Sequence, residues 1–552
     1  MRKFLYSCLL LCLPVVVSAQ VAKQVEVSKD YTPTVKTAQK LAIVPDMTDT
    51  VKMRPDIDYT IMPRSYETSL MVENFKPATI TYWDYTRRKT LYTKAAIGAP
   101  LASELDAYVS TYNKDKGYAM AYVNHLGDYR NRYALNGIDR VTSNTAEMSN
   151  RVGGRAGLFW GQRVLEVDVV YDDELRHRYP TTGQKIHFGD LEGSIRLGDD
   201  FTNLERWNFN VEVSGGMFVD GTNKVNVGDY GQSSFSASAA LGKMLGIHIF
   251  RLNVAFDGVY GSKAFAPYKN NTLTAGARYG FSRERFEFLL GANYCYDDVA
   301  KSTDDPHHIF PYMRMSWKNT REGFVPFVEV DGGLKRHDFA SLVYANPYLQ
   351  GDNTNLADEI CAMPNESSYN GRIGFGGTLG KGVFSYSLSA ELELADNHLY
   401  WYNIDADYYF TQAYQHSLRI DGSMCFRPIG WLEAKMDAGL YVWENYDSHY
   451  ASRPNFKWDM DVRYLGRKIT AGVNLGYHSG IKWMVATVMP EAMFSYVQTP
   501  SAFTLGLEAE WRINDHWGVF AEGRNLTGSA VYEWLHYYSD SPEGLLGVKF
   551  SF

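Results

Sequence analysis

Cysteine is scarce in this chain of 552 residues, long apolar runs and an excess of positive charge are missing, and each shortage excludes something. No apolar run reaches the roughly 18 residues that a membrane helix needs, so no helix spans a bilayer. The 55 basic residues are outnumbered by 63 acidic ones, and a net charge of −8 argues against a nucleic-acid partner. There are five cysteines, of which Cys8 and Cys12 lie in the N-terminal leader-like stretch. Cys295, Cys361 and Cys425 are too widely spaced for a disulfide framework or a zinc site, although a pairing of Cys361 with either of the others stays open.

Catalytic signatures are missing as well. There is no HExxH and no GxSxG, so no enzyme and no cofactor is expected. Gly374–Lys381 has the look of a phosphate loop but lacks its leading glycine, and it reads as a strand of small residues. His307 and His308 would point to opposite faces of an extended chain, and the acidic Asp352–Glu359 loop has no EF-hand spacing. A helical period and a repeat of about 40 residues are both wanting, which excludes a propeller.

What is present starts with an address. Arg2 and Lys3 precede the apolar stretch Leu5–Val17, and Val17-Ser18-Ala19 supplies small residues for cleavage between Ala19 and Gln20. Export is expected, without a lipid anchor. Residues 20–88 then carry Pro33, Pro45, Pro55, Pro63 and Pro77 and no sustained period, so they read as an extended periplasmic arm or lumen plug. Val25, Val27, Ile43, Ile61, Leu70 and Phe75 make this arm too apolar to be a solvated tail.

From residue 89 to 552 the chain alternates. Phe250, Leu252, Val254 and Phe256 oppose Arg251, Asn253 and Asp257. Leu432 to Val442 sets apolar residues against Glu433, Lys435 and Asp437. Trp458, Met460 and Val462 oppose Asp459, Asp461 and Arg463, and Leu505, Leu507 and Trp511 oppose Glu508, Glu510 and Arg512. Period two means strands with one apolar and one charged face, and about 22 such runs can be counted. Long polar connections are expected at 130–150, 337–369 and 396–414, and short turns at Gly161-Gln162, Lys381-Gly382 and Ser479-Gly480.

The fold class that follows is all-β: a transmembrane antiparallel barrel of about 22 strands behind an N-terminal arm. A sandwich rarely needs so many long strands, whereas a closed barrel of this size leaves no edge. Strands of about ten residues match a tilted crossing of the hydrocarbon layer. Aromatics gather near strand ends, at Tyr171, Tyr294, Tyr296, Tyr441 and Trp443, as an aromatic girdle would.

The C-terminal strand alternates through Leu546, Val548, Phe550 and Phe552, the form that barrel-assembly machinery reads in the outer-membrane barrels it resembles. The segment Val519–Leu526, the loop to Tyr532 and the Gly544–Phe552 strand resemble the barrel terminus of TonB-dependent receptors. Ala390–Tyr402 and Val25–Val35 are similar to stretches of such barrels in Bacteroidota. The resemblance implies an outer-membrane protein in contact with lipid and the assembly machinery, with a solute to transport. It also implies a difference, because those receptors place a folded plug of well over a hundred residues ahead of the barrel. The 20–88 arm is shorter and reads as extended, which points to a plugless relative.

Arg251, Asp257, Glu433, Lys435, Asp437, Asp459, Asp461, Arg463, Glu508, Glu510 and Arg512 are therefore expected to face the lumen, many of them paired across strands. A barrel this wide would leak if empty, and the arm is the only spare chain visible in the sequence. Solute transport under control of the arm is the first functional expectation. A non-conducting scaffold or assembly-accessory protein is the second. It would hold a periplasmic or surface partner through the arm and through aromatic loops at Tyr400–Tyr402, Tyr408–Phe410 and Tyr532–Tyr538. A soluble secreted adhesin is the third.

Overall fold

Alternating Val, Leu and Phe against Asp, Arg and Ser leave each strand with two unlike faces, and ring closure satisfies both at once. The computed structural model describes residues 89–552 apart from short loop stretches, the longest being 223–228, 300–304, 318–322, 350–354, 444–452 and 488–492. The Ala19/Gln20 cleavage site and the 20–88 arm lie outside the described residues, as do Asp352 and the side chain of Trp443.

Twenty-two antiparallel strands form a closed barrel, from Leu91–Ala99 round to Glu543–Ser551. The first and last strands pair along a continuous seam, from Tyr92 opposite Ser551 to Ala99 opposite Gly544. Among the described residues no barrel strand is left with a free edge. Both ends of the described chain sit at the rim with tight turns such as Gly161-Gln162, where φ of +65° at Gly161 favours glycine. The opposite rim carries the long connections, including 129–146, 336–365, 479–501 and 525–542.

The outward face is apolar around the ring: Val152, Val169, Ile195, Val213, Leu252, Val254 and Leu507 are all exposed large hydrophobics. Such a surface would be intolerable in water and fits a bilayer. Trp160, Trp207, Trp317, Trp431, Trp511 and Trp517 stand exposed at the tight-turn rim, while Tyr171, Tyr260, Tyr294 and Tyr414 stand exposed towards the other. Tyr112, Tyr279 and Tyr464 join the indoles at the tight-turn rim, so aromatic rings gird both ends of the wall. Tyr441 departs from the expectation: it shares the inward register with Arg419, whose guanidinium lies 5.6 Å from its ring.

Three connections differ from their sequence reading. Residues 396–414 are no polar loop but the upper half of a hairpin, Phe384–Ile404 with Asp407–Ile429, of 21 and 23 residues. A bulge between Ala395 and His398 lets it bend beyond the barrel wall. Ser479-Gly480 does not turn one barrel strand into the next. It leads to a side hairpin, Lys482–Thr487 with Met493–Gln498, which adds to the long hairpin in parallel at Tyr402 and Asn403. The 336–365 connection contains two short helices, Phe339–Ala345 and Leu356–Cys361.

Candidate functional site

The 336–365 connection folds inward. Asp338 starts its first helix with a capping box: its carboxylate accepts the Ser341 N–H at 2.8 Å, and the Ser341 Oγ accepts the Asp338 N–H at 2.8 Å. The helix then seats Phe339 among Tyr230, Phe265 and Phe218, with ring centroids 4.9, 5.9 and 5.9 Å away. Phe218 and Tyr230 belong to barrel strands and share the lumen register with the buried Gln232. Gln232 donates to Asp338 Oδ1 at 3.2 Å and accepts the Ala340 N–H at 3.1 Å, so the wall itself grips the helix start.

Other loops complete this cap. Tyr348 stacks on Tyr537 of the small hairpin Val531–Trp534/Tyr537–Ser539 at 3.4 Å between centroids. Trp534 touches Trp401, Tyr408 and Trp483, so the long hairpin and its side hairpin join the same core. Tyr408 donates to the Leu535 carbonyl and Tyr537 to the Ala406 carbonyl, each at 3.0 Å. The result is one buried apolar cluster running from Tyr179 and Phe188 through Leu342, Leu356 and Ile360 to Trp483 and Leu535. Burial, then the Glu147 carboxylate beside it, pushes the Tyr348 hydroxyl far above its ordinary range.

A polar seam ties the cap's far end to the wall. Tyr268 donates to the His337 carbonyl at 2.9 Å, while Asn270 and Asn365 exchange amide bonds at 2.9 and 3.2 Å. Asn365 also donates to Asp297 at 3.0 Å. Glu366 is 3% exposed and lies 3.2 Å from His337 Nε2 and 3.1 Å from His398 Nδ1. The hydrogen-bonded members of this seam, Tyr268, Asn270, Asn365 and Asp297, rigidify what they join. Among the described residues no set of His, Cys, Asp and Glu is arranged to hold a metal ion.

Beneath the cap the lumen holds a cavity of about 510 Å³, lined by Glu104, Asp106, Asp172 and Glu174 against Arg151 and Arg524. Tyr344 reaches down from the cap helix into its lining and donates to Asp190 at 2.7 Å. Burial and that carboxylate hold the Tyr344 hydroxyl well above the usual phenol value. The volume suits a small solute.

The eleven lumen candidates all sit on the face opposite the exposed hydrophobics. Arg251 opposes Arg278, and Asp257 opposes Thr272. Glu433, Lys435 and Asp437 oppose Arg463, Asp461 and Asp459, while Glu508, Glu510 and Arg512 oppose Glu522, Phe520 and Gly518. Most are ion-paired: Glu433 with Arg427 and Lys435, Arg463 with Asp461 and Glu508, Glu510 with Arg512 and Lys549, Asp459 with Lys457. Leu546, Val548 and Phe552 stand exposed on the outer face, and Phe550 packs on Trp517 at 4.6 Å. Cys295, Cys361 and Cys425 are free thiols, and burial raises the Cys361 thiol above its ordinary value.

The structure refines two sequence expectations at the cap. Trp401, Tyr408 and Tyr537 are buried in its core, while Tyr402, Tyr409, Phe410, Tyr532 and Tyr538 of the same segments stay half-buried. The arm is also not the only chain that can occupy the lumen, since the 336–365 connection already enters it. The missed signal was local: Phe339, Leu342, Val343, Tyr348 and Leu349 are too apolar for a solvated loop.

No protein-family profile matches the chain, and no curated protein matches it. Solved structures do. The FrpB iron transporter from Neisseria meningitidis aligns with a TM-score of 0.63 at 12% identity, over 85% of this chain and 82% of its own. The outer-membrane ferripyoverdine receptor of Pseudomonas aeruginosa aligns at 0.60 and 10% identity, over 85% and 72%. The copper transporter OprC aligns at 0.60 and 12%, over 84% and 80%. The chain therefore has the fold of the outer-membrane TonB-dependent receptor barrels that its C-terminal strands resemble.

Proposed function

We propose that this protein is a plugless, receptor-like barrel that admits solutes across the outer membrane, with residues 20–88 and the cap controlling passage. The observation that carries this reading is the 510 Å³ charged cavity beneath the cap, inside a closed ring whose wall alternates charges of both signs. A hydrated, charged lumen is suited to polar solutes, and an apolar outer band to lipid. The alternating C-terminal strand, with Leu546, Val548, Phe550 and Phe552, is read as the signal for assembly. Solved barrels of this fold are named as transporters and receptors for iron, ferripyoverdine and copper, which favours transport over catalysis.

Single-channel conductance of the purified protein tests it, with and without residues 20–88 and with the cap unseated by Phe339→Ala. A quiet full-length protein that conducts after either change supports a controlled pore. The second reading, a scaffold with a permanently filled lumen, is favoured by one observation: the cap core is packed like a protein interior. Silence in all three forms, together with a recovered cross-linked partner, would select it.

A further inference from the structure

Positive side chains in the lumen follow a rule, and three break it. Arg155 pairs with Asp168, Arg372 with Glu391, Arg419 with Asp421 and Arg524 with Glu104. Arg251, Arg278 and Arg314 have no ion pair among the described residues. They nevertheless share one stretch of wall: Arg251 is directly opposite Arg278, Arg278 faces Gly291 and Gly291 faces Tyr312 on the following strands, and Arg314 lies two residues beyond Tyr312. The guanidinium carbon of Arg278 lies 3.9 Å from the centre of the Tyr312 ring, and Tyr312 is 3% exposed. Gly291 makes room for this, since a Cβ there would stand 2.9 Å from Arg278 Cγ.

The Nε atoms of all three arginines are buried and have no hydrogen-bond partner. Two carboxylates share the neighbourhood. Glu329 is opposite Arg314, and Glu287 is opposite Ser316 one strand away. Neither comes within ion-pair distance of the three. Like charges on adjacent rungs repel, and guanidinium forks are shaped for oxyanions that accept two bonds at once.

We infer that Arg251, Arg278 and Arg314 form an anion-binding site in the lumen wall, for a carboxylate or phosphate group on a solute. Its place in uptake rests on the transport reading above, and it narrows that reading to anionic solutes. The Tyr312 ring is the platform that fixes Arg278, and Gly291 is the gap that lets it lie flat. The site is separate from the cavity under the cap, whose lining carries more carboxylates than arginines.

The test uses full-length protein in detergent at constant ionic strength, with inorganic phosphate followed by phosphorus NMR line broadening. Wild type should bind phosphate saturably, and acetate or citrate should displace it. Arg251→Gln combined with Arg278→Gln should weaken binding by about tenfold or more. Arg512→Gln, which removes a paired lumen arginine, should leave binding as it is. Heat-modifiable migration on gels shows that each variant has kept its barrel. Equal binding by wild type and the double variant, or no saturable binding by either, overturns the site. Conductance records on the same samples separate the two ideas: phosphate binding by a protein that never conducts overturns transport alone, and conduction without phosphate binding overturns the site alone.

Discussion

The outer band and the cap core are both built from large apolar residues, yet they obey different rules. In the band, Leu252, Val254 and Ile195 face a fluid solvent, so what matters there is that a residue is apolar, not what shape it has. In the cap, Phe339, Tyr348 and Tyr537 meet fixed partners, so each must fit. A barrel wall is thus tolerant where it is most hydrophobic, and the mouth is demanding where it is most irregular.

Substitutions can break this comparison in order of size. Phe339→Ala empties the nest formed by Tyr230, Phe265 and Phe218 and should cost the cap about 3–5 kcal/mol, read as faster hydrogen exchange over 336–365 with the barrel strands unchanged. Val254→Lys puts a charge in the band and should cost the barrel about 2–4 kcal/mol in urea unfolding, while leaving cap exchange alone. An equal loss at both sites would erase the distinction between them. Asp338→Ala removes a cap box and the Gln232 contact and should cost about 0.5–2 kcal/mol, again confined to the cap.

The smallest effect is one of pH. Burial lowers the His536 pKa below its ordinary value, with Asp405 opposing. The undocked hairpin therefore binds the proton more readily than the docked one. Docking is strongest above the ordinary histidine range and weakens as pH falls from there through the lowered value. Normalised hydrogen exchange at 531–539 should rise on acidification in wild type and stay flat in His536→Gln.

The same contrast decides what could be read from sequence. Period two exposes the band and the lumen face at once, which is why Phe250–Asp257 and Leu432–Val442 announce both their strands and the side each residue faces. The cap has no period. Its members come from segments as distant as Tyr179, Phe339, Trp483 and Tyr537, and only the folded barrel brings them together. Trp401 and Tyr408 are buried in the cap core, and nothing in the spacing of the 400–410 aromatics reveals the loops that cover them. The arginine cluster is half visible in the sequence: Arg251 is among the expected lumen charges, but its failure to pair depends on registers across four strands.

The seam between Leu91–Ala99 and Glu543–Ser551 has a consequence in time. Thr90 bonds to Phe552 across 462 residues of sequence. No closed ring exists until everything between has been laid down. Until that moment two strands stand open, each a template for a wrong neighbour. Closure of the ring thus joins the most distant parts of the described chain.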